Sequence, residues 1–398
     1  MAAVALSVLL LVGIERLREG ARHGFAETVS GTDLIVGSRT SPVQLLLYAV
    51  FHVGAPTNNM GWAAFQAVAA DPAVAWAVPV ALGDSHRGFP VVGTSPGYFE
   101  HFRHGDGRAL ALAAGRRFDG LFEVVLGAEA AQRLGYAVGR RITLSHGTGE
   151  ALLPEHADKP FVVTGILART GTPVDRALHV SLESLEAIHL EWRGGAPVPG
   201  LVIPAEFVRK FDLSPKSVTA VLAGLHERTA VFAAQRRINA HAGEPLQAIL
   251  PGVALDELWQ VLGTAERVLV AVSALTAAIA IAGLVAVILA GLGERRRELA
   301  VLRATGARPR DIFALLTLEG LFVTVAGSAA GLALLLACAL LFGDLLLARY
   351  GVALAAQSFA PSELARVGAI IAAGLVASMV PGLRAYRLAV ADGLTPGS

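Results

Sequence analysis

The sequence predicts a membrane protein with four transmembrane α-helices and a large mixed α/β extracytoplasmic domain inserted between the first and second helices. Three observations carry this. Hydrophobic residues make up 54% of the 398-residue chain and charged residues 16%, with a mean hydropathy of +0.58, whereas a soluble domain carries about 25% charged residues. Residues 268–292 hold no charge and residues 312–342 hold only Glu319, so each run exceeds the roughly 20 residues that cross a bilayer core as a helix. Ahead of these runs lies a long stretch of short strand and helix patterns separated by turn residues, which fits a folded domain. The net charge of +1, with no basic domain or stripe, argues against nucleic acid as a partner.

The elements follow in order. Residues 1–14 are apolar but short, and they lack the positive n-region and small-residue cleavage site of a signal peptide. We read residues 1–19 as a first transmembrane helix whose start lies beyond the sequence; an ordinary short membrane anchor is the other reading. Residues 20–260 make the external domain. Its strand-like runs are 34–36, 75–82, 90–93, 123–126, 142–144, 161–167 and 217–222, rich in β-branched residues and bounded by Gly, Pro, Ser or Asp. Helical patterns cover 61–70, 128–134, 182–190 and 228–241. In the last, Val231, Ala234 and Ile238 share a face that excludes Arg228, Gln235 and Arg236. Residues 147–159 and 193–200 are rich in turn formers and read as connectors. Residues 261–398 then hold three spans, 268–292, 312–342 and 367–383. The single cysteine, Cys338, excludes an internal disulfide and sits in an apolar run as a small hydrophobe.

Orientation follows from the arginines. The loop 293–311 carries Arg295, Arg296, Arg297, Arg303, Arg308 and Arg310, while 343–361 carries only Arg349. Positive charge in short loops marks the cytoplasmic side. The loop and the C-terminus are therefore expected inside, and residues of about 20–260 outside.

No nucleotide site is expected. A phosphate-binding loop needs a lysine preceded by glycine, and Lys159, Lys210 and Lys216 all fail that test. Any ATP hydrolysis belongs to a partner, and the chain is not expected to be an enzyme. The first part of 294–310 reads as a helix, with Glu294/Arg297 and Arg295/Glu298 at i,i+3 spacing, Leu299 and Leu302 on one face, and Gly306 as a stop. Two readings stand: a coupling helix that docks on an ATPase, or a solvated loop that serves topology alone. Glu319 is an ionisable group in an apolar helix, where an unpaired charge is costly; an interhelical hydrogen bond and a gating role both account for it. Gly327 and Gly331 leave a groove for close helix packing, expected within a dimer. His101 and His104, beside Glu100 and Asp106, are weak metal candidates because no third ligand is recognisable, and no metal is expected. Ser95 lacks the Gly-x-Ser-x-Gly context of a nucleophile elbow.

The string ERRRELAVLRATGARPRDI at 294–312, with an apolar span on each side, closely resembles the FtsX-like permease family of ABC transporters, which includes macrolide exporters and lipoprotein-releasing permeases. Glu319 followed by GSAAG at 327–331, and PGLRA at 381–385, are similar to that family's later spans. The external phrases VGTSPGYF at 92–99, GRRF at 115–118, EVVLG at 123–127, VGRRI at 138–142 and FVVTGI at 161–166 are similar to its MacB-like periplasmic domain. The first span departs from the pattern, which usually has a longer helix with a basic cytoplasmic preamble. The resemblance implies a multi-pass protein of a bacterial inner membrane with residues 20–260 in the periplasm. It further implies two copies of a cytoplasmic ATPase supplying ATP and magnesium, a second permease subunit (the same or different), and a periplasmic or lipoprotein partner. The coupling residues would be Glu294, Arg295, Arg297, Glu298, Leu299, Leu302, Arg303 and Gly306. The alternative is a non-transporting transducer that activates a periplasmic enzyme.

Overall fold

The computed structural model describes residues 1–28, 30–54, 58–147, 156, 158–193, 196–198, 201, 203–350 and 359–391. Most of the two turn-rich connectors, 147–159 and 193–200, lies outside the described residues. The contacts divide the chain into one unit of residues 22–261 and another of residues 1–21 with 262–398.

The first unit is built on a mixed sheet of 12 strands among the described residues. In chain order they are β1 (Leu34–Ser38), β2 (Val74–Ala81), β3 (Asp84–His86), β4 (Phe89–Thr94), β5 (Leu112–Gly115), β6 (Glu123–Leu126), β7 (Arg141–Ile142), β8 (Ser145–His146), β9 (Phe161–Leu167), β10 (Leu178–Ser181), β11 (Ala220–Leu225) and β12 (Leu246–Ile249). The main path runs β7-β9-β6-β10-β4-β2-β11-β1-β12, with β5 on β9 and β3 on both β4 and β8. Among the described residues only β9/β6 and β10/β4 pair in parallel. The pleat sorts side chains to two faces: Ile35 joins one core with Leu45, Tyr48 and Val78, while Leu34 and Val36 join another with Met60, Ala64 and Val68. β11 is buried along its whole length, which explains its continuous apolar run.

Six short helices cover the sheet: α2 (Pro42–Phe51), α3 (Trp62–Ala69), α4 (Gly97–His101), α5 (Ala128–Leu134), α6 (Leu182–His189) and α7 (Val231–Asn239), the elements α3, α5, α6 and α7 falling on the predicted helical patterns. α2 was missed because PVQLLLYAVF is an apolar run without period, equally readable as a buried strand. β10 and β12, at four residues each, were too short to signal themselves.

The second unit holds most of α1 (Ala2–Thr28) and of α8 (Pro251–Glu294), with α9 (Arg296–Ala304), α10 (Pro309–Tyr350) and α11 (Pro361–Ala391). Among the described residues three helices, α8, α10 and α11, are long and apolar enough to cross a membrane. The expected four spans are thus three by this criterion. α1 falls short because Glu15, Arg16, Arg18 and Glu19 interrupt its apolar part. The helix nonetheless continues through them to Thr28, 27 residues in all, and several of its charges find partners. Arg16 Nε donates to Glu363 at 2.8 Å with both side chains buried, its guanidinium lies 4.6 Å from the Phe359 ring centroid, and Arg366 reaches Glu15 at 3.1 Å.

Gly327 and Gly331 do serve close packing, but their partner is α1 of the same chain. A side chain at Gly327 would meet Val4, and one at Gly331 would meet Val8 and the Ala5 carbonyl. Val4 and Val8 are accordingly buried there. α10 and α11 interlock in the same way, Thr324 over Gly374 and Ser378 over Gly320. Both hydroxyls donate to carbonyls four residues back, at 2.8 Å and 2.6 Å, so neither of the two is left unpaired in the seam.

Candidate functional site

The arginine segment forms α9 between two long helices. Arg295 stands at its N-cap with φ −90° and ψ 9°, breaking α8 from α9. Gly306 ends it with φ +106°, a left-handed conformation that favours glycine, and the Gly306 and Ala307 amides donate to the carbonyls of Arg303 and Leu302. Pro309 then opens α10, and Asp311 accepts the Arg308 amide at 2.8 Å. The predicted residues divide by face. Arg295 reaches Glu319 at 3.3 Å, and Leu299 packs on Ile288, Leu292, Ile312, Leu316 and Ala385. Glu294, Arg297, Glu298 and Leu302 are exposed, together with Val301, which the sequence reading passed over. Glu319 is thus paired with Arg295, the two side chains 40% and 55% exposed.

A second constellation was not foreseen. Asp84 in β3, His146 in β8, His156 and His189 at the end of α6 bring their ligand-type atoms within 4.8 Å of one another. Asp84 and His146 are direct cross-strand partners, which sets their side chains side by side. Asp84 Oδ1 lies 3.2 Å from His146 Nδ1, 3.4 Å from His189 Nε2 and 3.9 Å from His156 Nε2, and His146 Nδ1 is 3.3 Å from His189 Nε2. Ser181 caps α6 by accepting the Ser184 amide, and His189 Nδ1 meets the Leu185 carbonyl at 2.9 Å. Lys159, fully buried, donates to Glu191 at 2.8 Å, fixing the chain just after His156 to the chain just after His189. Trp192 lies over the cluster, its ring centroid 4.9 Å from those of His146 and His156 and 5.7 Å from that of His189.

Burial pushes the Asp84 carboxyl up, but hydrogen bonds from His146 and His189 outweigh it and hold the group at about 2. Burial, with His189 nearby, lowers His156 to about 4. Burial also lowers His189, but the hydrogen bond with Asp84, the charge of that carboxylate, the Leu185 carbonyl and Glu186 together more than offset this, leaving it raised. One anionic carboxylate thus faces three imidazoles in a largely enclosed setting.

His101 and His104 are not brought together as a helical pair. α4 ends at His101 and Phe102 is extended (φ −61°, ψ 131°), so the two histidines do not share a helix face. The His101 ring stacks on Trp76 at 4.8 Å, and His104 is buried in a two-residue strand paired with Arg108.

The sequence matches the model of the MacB-like periplasmic core domain over residues 1–240 and that of the FtsX-like permease C-terminal domain over residues 270–390. With the apolar helices and the α/β unit, these matches define an ABC-transporter permease. The chain belongs to the FtsX-like permease family, in the form that carries a MacB-like periplasmic core. Permeases of this family lack a nucleotide-binding domain of their own and work with a cytoplasmic ABC ATPase. The chain is similar to the periplasmic region of MacB from Actinobacillus actinomycetemcomitans at 12% identity and TM-score 0.34, covering 60% of this chain and 97% of that one. It is similar to the extracellular domain of the noncanonic ABC-type transporter YknZ from Gram-positive bacteria at 13% identity and TM-score 0.31, covering 55% and 99%. No curated protein matches the chain. The family assignment rests on the two domain matches.

Proposed function

We propose that the chain is the transmembrane subunit of an ABC transporter in a bacterial inner membrane, and that α9 receives force from a separate cytoplasmic ATPase. The observation that supports this most is the two-sidedness of α9. Arg295 and Leu299 hold it to the helices behind, while Glu298, Val301 and Leu302 stand exposed on a short helix bounded by sharp breaks. An apolar pair left exposed among charges fits a protein contact better than a purely solvated loop. In this reading α1, α8, α10 and α11 make four spans, with α1 completed by its packing on Gly327 and Gly331. Residues of about 20–260 lie in the periplasm, and two such subunits assemble over two ATPase copies that bind ATP and magnesium. Movement of α9 would pass through Arg295 to Glu319 and along α10, in transport or in mechanotransmission to a periplasmic or lipoprotein partner.

Docking is tested by substitution on the exposed face. Leu302→Glu and Glu298→Arg are expected to weaken ATPase retention by about 30-fold, the loss of one hot-spot residue of about 2 kcal/mol. Thr305→Ser, beside the same face, is expected to change nothing. Full retention in both charged variants, measured on solubilised membranes, would remove α9 from the interface.

A further inference from the structure

We propose that Asp84, His146, His156 and His189 form a binding site for one divalent transition-metal ion of the zinc type, a property separate from the permease role of the chain. The distances carry the argument. Zinc holds imidazole nitrogen and carboxylate oxygen at about 2.0–2.2 Å, so neighbouring ligand atoms around a tetrahedral ion stand roughly 3.3–3.5 Å apart. Asp84 Oδ1 to His146 Nδ1 is 3.2 Å, Asp84 Oδ1 to His189 Nε2 is 3.4 Å and His146 Nδ1 to His189 Nε2 is 3.3 Å. Three of the four ligand atoms thus already outline a face of that tetrahedron. His156 Nε2 stands slightly farther off, at 3.9 Å from the carboxylate.

Hydrogen bonding alone leaves this arrangement unfinished. His156 is 3% exposed, yet its Nε2 has no hydrogen-bond partner among the described residues, an omission that native interiors rarely tolerate. His189 Nδ1 is engaged by the Leu185 carbonyl, which leaves Nε2 as the ring nitrogen that faces Asp84 and would take the ion in place of a proton. Such a backbone bond from the far nitrogen is what orients a metal-bound histidine. A cation at the centre satisfies the converging lone pairs together, which one carboxylate oxygen does not.

The donor set selects the metal. Three imidazoles and one carboxylate favour zinc and its neighbours, cobalt, nickel and copper, whereas calcium and magnesium require mostly oxygen. His146 and His189 retain side-chain exposures of 35% and 27%, which provides a path for entry. Binding would join β3, β8, the end of α6 and the chain at His156 through one ion.

The test uses the full chain in detergent, purified without a histidine tag and stripped with a chelator. One equivalent of cobalt(II) is expected to produce the intense visible bands of four-coordinate cobalt and to quench Trp192 fluorescence, and one equivalent of zinc is expected to abolish the bands. Trp192→Phe should keep the bands and lose that quenching. His189→Ala and Asp84→Asn should weaken binding by about 100-fold or more, while His101→Ala should leave it unchanged. Millimolar calcium or magnesium should not compete. Absence of stoichiometric cobalt bands in the stripped wild-type chain, with its thermal unfolding transition intact, would overturn the proposal. So would bands that persist in Asp84→Asn with His189→Ala.

Discussion

Lys159 has a side chain only 1% exposed, and its ammonium is held by Glu191 and Asp158. Removing one member of a buried pair strands the other charge, at a cost of about 3–5 kcal/mol. Lys159→Ala is therefore expected to lower the unfolding midpoint of the solubilised chain strongly, and Lys159→Met with Glu191→Leu to recover much of the loss. His179 gives a pH signature. It is fully buried in β10 against Tyr98 and Phe99, and burial first, then His52, lowers its ring to about 3. The unfolded ring titrates near 6.5. Its contribution is complete above 6.5 and is lost as pH falls from there toward 3, by about 1.4 kcal/mol per pH unit. Urea unfolding at pH 7.5 and pH 5, followed by tryptophan fluorescence, should show a smaller acid loss in His179→Phe than in the wild type. Little at this scale was legible beforehand. Asp84 and His146 are 62 residues apart, and His146 and His189 are 43 apart, so no spacing motif announces the cluster. Sheet pairing alone makes them neighbours. The histidine pair that spacing did single out, His101 and His104, is separated by a helix end.

Elements were more legible where length or period fixed them. The uncharged run 268–292 lies inside α8, and the break at Gly306 follows from a glycine able to take positive φ. What sequence withheld was the partner of each face. The groove at Gly327 and Gly331 reads the same whether α1 or another subunit fills it, and Glu319 shows its partner only once α9 is placed. The α10–α11 seam gives a direct prediction. Gly374→Leu drives a side chain into Thr324, whereas Gly368→Leu enters open space. Overpacking costs about 1–3 kcal/mol, so Gly374→Leu should lower the thermal midpoint of the solubilised chain and Gly368→Leu should leave it within error.

At the scale of the molecule, composition established the membrane class, and the family matches over residues 1–240 and 270–390 agree with the resemblance carried by the arginine string. The proposed orientation makes α9 cytoplasmic and the α/β unit periplasmic. In a Cys338→Ser background, Thr305→Cys should resist an impermeant thiol reagent in intact spheroplasts, and Ala109→Cys should react; the reverse pattern would invert the topology. The central claim is that α9 couples this chain to a separate ATPase. Its most direct measurement is ATP hydrolysis in the complex purified from native membranes through a tag on this chain. The account predicts magnesium-dependent hydrolysis that co-elutes with the chain and is lost with Leu302→Glu. Purification of the intact chain without any hydrolysing partner, or equal hydrolysis in the Leu302→Glu preparation, would contradict it.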